Sequence, residues 1–107
     1  MTKTETAKSL LKQVLVKEND REYYTIDGKK DGRYKIWYDS GQPLIYCYYK
    51  NGKLDGEYKR WHYNGQLVEH CHYKDGKLDG EYKTWHKNGK LYSCGYYKDG
   101  VKINDQN

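Results

Sequence analysis

A 24-residue repeat constrains the possible folds of this chain more than any other feature of its sequence. Three consecutive copies occupy residues 28–51, 52–75 and 76–99, with no insertion or deletion between them. Each copy places an Asp-Gly pair, a Tyr, a Trp, a further Gly and a second Tyr at the same offsets. A fixed period of roughly 20 to 50 residues is typical of repeat architectures, in which each unit buries its apolar side only by stacking on a neighbour.

Turn-forming dipeptides divide the repeat into strands. Asp-Gly and Asn-Gly favour tight primed turns between antiparallel strands, because both central residues need a positive φ. Dipeptides of this kind, one of them with Ser in first position, alternate at intervals of 13 and 11 residues, at Asp27-Gly28, Ser40-Gly41, Asn51-Gly52, Asn64-Gly65, Asp75-Gly76, Asn88-Gly89 and Asp99-Gly100. Each interval has the length of one strand and its turn, so the pattern predicts an up-and-down antiparallel meander of about seven strands.

A further Asp-Gly pair lies inside each copy, at residues 31–32, 55–56 and 79–80, where the Trp-containing strand begins. Glycine inside a strand indicates a β-bulge or the close approach of a neighbouring group. We therefore expect a bulge at these glycines, or an aromatic ring packed against them.

Aromatic residues replace aliphatic ones in the predicted core. The 107 residues include 14 Tyr and 3 Trp but no Phe, and Tyr packs as an apolar body whose polar tip tolerates partial burial. Aliphatic residues are too few for a thick two-layer core. The predicted fold is therefore mostly β: a single-layer, elongated, twisted antiparallel meander of stacked hairpins.

The N-terminal segment differs from the repeat. Apolar residues recur there at the spacing of one helical face, at Ala7, Leu10, Leu11, Val14 and Leu15. This spacing predicts an amphipathic α-helix that begins near residue 3 and ends between Val16 and Asn19. We expect this helix to cap the array, as terminal elements do in repeat proteins, and a partner-binding segment is the alternative.

The chain is thus predicted to have three parts. A helical cap occupies residues 1–20, the repeat array occupies residues 21–104, and a short tail follows at 105–107. The array itself consists of a half unit, three full units and a partial unit, at residues 21–27, 28–51, 52–75, 76–99 and 100–104.

The charges are interspersed. The formal net charge is +5, yet opposite signs alternate, as at Glu57 and Lys59 or Glu81 and Lys83, which we expect to pair on the sheet surface. This arrangement favours a solvated face over a patch for polyanions. No secretory signal or span of roughly 20 apolar residues is visible. We therefore expect no transmembrane segment and a cytoplasmic protein with reduced thiols, with peripheral membrane attachment as an alternative.

The unit Gly-Lys-Leu-Asp-Gly-Glu-Tyr-Lys-x-Trp-His-x-Asn-Gly-x-Leu, followed by Tyr-Lys-Asp-Gly, resembles the MORN repeat in its second variant, which is rich in Tyr and Trp. The resemblance covers residues 21 to 104. It implies an elongated, twisted single-layer sheet of stacked hairpins and a binding or scaffolding role. Phospholipid binding is often proposed for this family, protein contact or dimerisation is better supported, and some bacterial members are described as antitoxin-like.

A His-Cys-His run is the strongest candidate for metal chemistry. In a strand, His70 and His72 share one face while Cys71 points to the other, so the run cannot chelate a metal as a cluster. Tyr occupies the matching positions of the first copy, which indicates interchangeable, half-buried rings. A disulfide between Cys47 and Cys71 is an alternative to free thiols, although a reducing cytoplasm disfavours it.

Catalytic motifs are missing from the sequence. There is no nucleophile elbow, no phosphate-binding glycine loop and no acid pair in an apolar setting, and only Glu69 and the His-Cys-His run depart from the repeat in a way that an active site would need. We therefore predict no enzymatic activity and no catalytic, cofactor-binding or metal-binding residues.

Repeated aromatic rings form the predicted functional surface. Tyr and Trp are enriched in binding hot spots, so we predict a non-catalytic scaffold that contacts protein, either a second copy or a partner such as a toxin. Binding of anionic phospholipid headgroups, or of single-stranded nucleic acid, by the same Lys-flanked surface is the alternative. The predicted binding residues are Tyr34, Trp37, Tyr49, Tyr58, Trp61, Tyr73, Tyr82, Trp85 and Tyr97.

Overall fold

The computed structural model describes residues 12–103, which form one antiparallel sheet. Its ten strands are β1 (Val14–Lys17), β2 (Arg21–Ile26), β3 (Lys29–Trp37), β4 (Pro43–Lys50), β5 (Lys53–Trp61), β6 (Leu67–Lys74), β7 (Lys77–Leu78), β8 (Gly80–Trp85), β9 (Leu91–Lys98) and β10 (Val101–Ile103). Strands that follow one another in sequence also pair in space, and the short β7 pairs with β6 beside β8. The sheet measures 54 × 41 × 17 Å. The predicted mostly-β antiparallel meander is confirmed, with ten strands instead of about seven.

The predicted N-terminal helix is wrong where the structure describes it. Residues 12–20 contain no helix, and Val14–Lys17 form strand β1, which pairs with β2. The β-branched Val14 and Val16 favour an extended backbone, and the edge of β2 supplies hydrogen-bonding partners for it. The rest of the predicted cap, at residues 1–11, lies outside the described residues.

The hairpin turns are of two kinds. Both residues have a positive φ at Asp27-Gly28, Asn51-Gly52, Asp75-Gly76 and Asp99-Gly100, which confirms primed turns there. At the other three predicted turns only the glycine has a positive φ. These glycines are Gly41, Gly65 and Gly89. In the first of these, the Tyr38 N–H donates to the Gln42 carbonyl and the Gly41 N–H donates to the Tyr38 carbonyl, both at 2.8 Å. The prediction of primed turns is wrong at these three positions. Each of these loops has three residues, and in such loops one glycine adopts the left-handed conformation.

The glycine inside each Trp-containing strand sits in a bulge. Between the pairs Cys47–Tyr58 and Tyr49–Leu54, residues 55–57 lie opposite Tyr48 alone. Gly56 has φ 121° there, and a Cβ added to it would lie 3.7 Å from the Tyr48 ring. Both expectations for these glycines, the bulge and the packed ring, are therefore confirmed at Gly56.

The aspartate before each bulge glycine fixes the next turn of the sheet. The carboxylates of Asp31, Asp55 and Asp79 accept hydrogen bonds from the backbone N–H groups of the turn residues Asn51, Asp75 and Asp99, at 3.2, 3.2 and 3.5 Å. Each pair is separated by 20 residues, so in every copy the aspartate beside the bulge is tied to the turn that ends the same copy. This contact explains in part why the repeat length is constant.

The strand register divides the side chains between two faces. Tyr34, Cys47 and Tyr58 lie opposite one another on neighbouring strands, and Cys71 lies opposite Tyr58 on the next. We name this side the Tyr face, which carries Tyr23, Tyr34, Tyr49, Tyr58, Tyr73, Tyr82 and Tyr97. Because successive residues of a strand alternate, the other side is the Trp face, which carries Trp37, Tyr46, Trp61 and Trp85.

The Tyr face contains the best-buried side chains of the described residues. Tyr34 is 7% exposed, Cys47 is 4% and Cys71 is 0%. Burial raises the pKa of the Cys47 thiol to about 11 and that of the Cys71 thiol to about 12. Strand β5 separates the two cysteines, and two strand spacings, about 9.6 Å, exceed the Cα separation that a disulfide tolerates. The alternative of a Cys47–Cys71 disulfide is therefore wrong, and both thiols are free.

Candidate functional site

The predicted binding residues do not form one surface. Six of them, all tyrosines, lie on the Tyr face and pack in pairs within each copy, Tyr34 with Tyr49, Tyr58 with Tyr73 and Tyr82 with Tyr97, at ring distances of 5.3, 5.8 and 5.7 Å. The three tryptophans lie on the opposite side. The tyrosine pairs hold the hairpins together, so their periodic spacing reports the internal packing of the sheet.

On the Trp face, tyrosine separates successive tryptophans. The Tyr46 ring lies between Trp37 and Trp61, at centroid distances of 6.4 and 5.0 Å and with edge-to-face geometry in both contacts. Edge-to-face aromatic pairs of this kind are stabilising beyond the apolar area that they bury. The three rings therefore form a continuous aromatic row across β3, β4 and β5.

Four further tyrosines are exposed, and the strand register places two of them, Tyr48 and Tyr96, on the Trp face. Tyr48 is 42% exposed, Tyr63 66%, Tyr92 69% and Tyr96 38%. They are not among the predicted binding residues. The alternation of a strand gives a signal for two of them, because Tyr48 and Tyr96 directly precede tyrosines of the Tyr face and must point away from it.

Two glutamates of the Trp face are paired, whereas Arg33 and Lys35 on that face have no ion-pair partner among residues 12–103. Glu57 lies 3.9 Å from the Lys59 ammonium, and Glu81 lies 3.5 Å from that of Lys83, which confirms both expected pairs. Glu57 also forms a 2.9 Å hydrogen bond with His70, which lowers the pKa of this carboxyl group. The face thus combines exposed rings with compensated glutamates.

Glu69, the acid that interrupts the repeat, has structural partners. It lies on the Tyr face, where one oxygen accepts a hydrogen bond from Arg60 Nε at 2.9 Å and the other accepts one from the Tyr82 hydroxyl. Burial and this hydrogen bond raise the pKa of Tyr82. Both carboxylate oxygens are therefore engaged in holding β5, β6 and β8 together.

We expect Glu69→Gln to lower the free energy of unfolding by about 1–2 kcal/mol, because the amide replaces a charge-assisted hydrogen bond to Arg60 by a neutral one. Urea denaturation at neutral pH measures the change. Glu81→Gln is the matched control, since it removes an exposed ion pair and is expected to cost less than about 0.5 kcal/mol. Equal losses in the two variants would contradict a structural role for Glu69.

The His-Cys-His run has the predicted division between faces. The rings of His70 and His72 lie 5.3 Å apart on the Trp face, while Cys71 is buried on the Tyr face. Within residues 12–103, no three His, Cys, Asp or Glu side chains are grouped as metal ligands.

No helix in this part of the chain is long and apolar enough to cross a membrane.

The fold and the repeat define a non-globular, single-sheet repeat protein. The profile of the MORN repeat variant family matches residues 30–51, 54–75 and 78–99, more than half of the chain, which therefore belongs to this family. MORN repeats are commonly scaffolds that bind proteins or membranes, and the family is generally non-catalytic. Comparison with curated proteins gives no significant match.

Proposed function

We propose that this chain is a non-catalytic scaffold whose Trp face binds another protein. The observation that supports this proposal is the exposure of Tyr48 and Tyr96 on the same face as the aromatic row of Trp37, Tyr46 and Trp61. Tyr and Trp bury a large area on binding while losing little side-chain entropy, which makes them frequent hot spots. The occupant is a second copy or a different protein, and the antitoxin-like members of the family make a toxin one candidate.

The Trp face suits this role better than the Tyr face does. Tyrosines of the Tyr face pack on each other and on the buried thiols, so their rings are already used to stabilise the sheet. On the Trp face, by contrast, Tyr48 and Tyr96 present 42% and 38% of their surface to solvent. A partner can cover these rings without a rearrangement of the sheet.

The ion pairs of Lys59 and Lys83 favour a protein partner over a polyanion at this part of the Trp face. Lys59 and Lys83 each lie within 4.0 Å of a glutamate, and Lys35 lies over the Tyr46 ring at 5.0 Å. A phosphate backbone or a lipid headgroup would compete with these partners and would be repelled by the glutamates. Binding of lipid or single-stranded nucleic acid, and with it a peripheral membrane location in the cytoplasm, remains the second outcome of the test.

A face-specific variant tests the proposal. We expect Tyr48→Ser combined with Tyr96→Ser to weaken self-association or capture of a protein partner at least about 10-fold, since two exposed rings are lost. Light scattering measures self-association, and affinity capture from a lysate of the source cells measures a heterologous partner. The matched control is Val14→Thr, which changes an exposed apolar residue of the edge strand β1 that lies on the Tyr face.

Three results would contradict the proposal. The first is a strict monomer that captures no protein, and the second is equal binding by the face variant and the edge control. The third is binding to anionic liposomes or oligonucleotides that falls steeply between low and high salt, because strong salt dependence is the mark of phosphate recognition. That last result would support the alternative function.

A further inference from the structure

An open concavity lies beside the first tryptophan of the array. Its volume is about 480 Å³, and it lies where the loop between β1 and β2 meets the loop between β3 and β4. The lining combines aromatic and aliphatic side chains with two carboxylates, from Trp37, Tyr38, Leu44, Tyr63, Asp20 and Asp39. It is thus an apolar recess with an acidic rim.

One ring of the aromatic row is missing beside Trp37. In the second copy, Tyr46 covers Trp61 at a centroid distance of 5.0 Å. The residue that stands in the same relation to Trp37, 15 positions before it, is Glu22. Glu22 lines a separate small recess with Lys35 and does not line this one. One side of the Trp37 ring therefore has no aromatic neighbour from β2.

The rim carries net negative charge. Asp20 forms two hydrogen bonds with the Arg21 guanidinium, at 2.9 and 3.0 Å, which lower the pKa of Asp20 and compensate its charge. Asp39 is exposed and has no ion-pair partner among residues 12–103. The uncompensated carboxylate of the recess is therefore that of Asp39, at the same end as the rings of Tyr38 and Tyr63.

The same sheet already places cations against its aromatic rings. The Lys30 ammonium lies over three rings of the Tyr face, 5.3 to 5.9 Å from their centroids, and Lys35 lies 5.0 Å from that of Tyr46. Tryptophan attracts a cation more strongly than tyrosine does. An open tryptophan ring beside an unpaired carboxylate is accordingly suited to a cationic group.

We infer that the concavity at Trp37 binds an arginine side chain of the protein partner. The planar guanidinium stacks on the Trp37 ring and pairs with Asp39, and its aliphatic stem contacts Leu44. Arginine fits better than lysine, because it is less strongly hydrated and stacks on aromatic surfaces. The inference rests on the proposed scaffold function and adds a basic residue to the chemistry of the partner.

A peptide titration tests this site without a known partner. The probe is acetyl-Gly-Arg-Gly-amide, added to the full chain labelled with ¹⁵N, and the control is the same peptide with citrulline, which is neutral but nearly isosteric. We expect the Arg peptide to shift the Trp37 indole N–H resonance saturably and to leave that of Trp85 unchanged. The citrulline peptide is expected to bind at least about 5-fold more weakly, since it lacks the cation.

Two variants assign the charge. Asp39→Asn is expected to weaken binding of the Arg peptide roughly 3- to 5-fold, whereas Asp99→Asn, which changes an exposed turn residue of the last copy, is expected to have no effect. No saturable shift at Trp37, equal shifts with citrulline, or an unaltered affinity of Asp39→Asn would overturn the inference. A larger shift with phosphocholine than with the Arg peptide would also overturn it, in favour of a quaternary ammonium.

Separate experiments test the arginine site and the scaffold function. The peptide titration measures binding at the recess alone, whereas the capture experiment with Tyr48→Ser and Tyr96→Ser measures the contribution of the exposed rings of the Trp face. A scaffold that binds its partner normally when Asp39 is replaced, with no peptide shift at Trp37, would refute the arginine site and leave the scaffold function standing.

Discussion

Raising the pH above 9 is expected to destabilise this protein steeply, by roughly 2–3 kcal/mol per pH unit up to about pH 11. The cause is the pair of buried thiols on the Tyr face. Their ordinary pKa is 9.0, and burial raises it to about 11 for Cys47 and about 12 for Cys71. In the unfolded chain both thiols lose their protons above pH 9, whereas in the folded sheet they stay protonated, so the folded state is favoured less as the pH rises.

The sign of the effect follows from proton binding. Below pH 9 the thiols are protonated in both the folded and the unfolded chain, and their contribution to the free energy of unfolding is fully present. Between pH 9 and the raised pKa values only the folded state holds them, and each thiol then contributes a slope of about −1.4 kcal/mol per pH unit. Tyr58, which lies between the two cysteines and whose pKa burial raises to about 12, adds to the loss above pH 10.

Urea unfolding at a series of pH values, under reducing conditions and followed by Trp fluorescence, measures the slope. Cys71→Ala is expected to halve the thiol contribution to about −1.4 kcal/mol per pH unit, whatever it does to stability at neutral pH. Cys94→Ser changes the exposed thiol and is expected to leave the slope unchanged. A slope that is the same in Cys71→Ala and in Cys94→Ser would refute the role of buried thiols.

Much of this architecture could be predicted because the repeat couples sequence to backbone geometry. Residues such as Asn51 and Gly52 specify a primed turn locally, and twenty-four-residue spacing then places every hairpin beside its equivalent. The helix prediction failed for the opposite reason. Val14 and Leu15 satisfy a helical spacing, but the pairing of β1 with β2 is a non-local contact that no local pattern contains.

The candidate site was less predictable than the fold. Periodicity identifies Tyr34 and Trp37 equally, yet the first is 7% exposed and lies in the core, whereas the second lines an open recess on the other face. Residues that depart from the period, such as Glu22 and Tyr63, shape that recess. A departure from a repeat has no template to be compared with, so its consequence emerges only from the three-dimensional packing.

Replacing the bulge glycine is the second change with a large expected effect. We expect Gly56→Ala to lower the free energy of unfolding by about 1–3 kcal/mol, because of the backbone conformation at this position. The backbone has φ 121° at this position, which an L-residue adopts only with strain of about 1–3 kcal/mol. The new Cβ would lie 3.4 Å from the Cβ of Tyr48 and 3.7 Å from its ring, which is ordinary van der Waals contact and adds little to this cost.

Two other glycines test whether backbone strain is the cause. Gly28 has a positive φ of 78°, and a Cβ added there would meet nothing within 4 Å. Gly28→Ala is therefore expected to lower the free energy of unfolding by about 1 kcal/mol, from backbone strain alone. Gly95 has no positive φ, and a Cβ added there would meet only the flexible end of Lys102. Gly95→Ala is therefore expected to change the free energy of unfolding by no more than about 0.5 kcal/mol. Equilibrium urea unfolding of the three variants under one condition gives the comparison.

A double-mutant cycle connects this packing to the binding surface. Because the new Cβ would meet Tyr48 only at ordinary contact distance, we expect the cost of Gly56→Ala to change by less than about 0.5 kcal/mol in a Tyr48→Ala background. Additive losses would show that the ring tolerates the extra methyl group and that backbone strain alone accounts for the glycine. Coupling would mean that the exposed ring of Tyr48 is positioned by the bulge beneath it, so that a glycine required for turning the strand also sets the geometry of the Trp face.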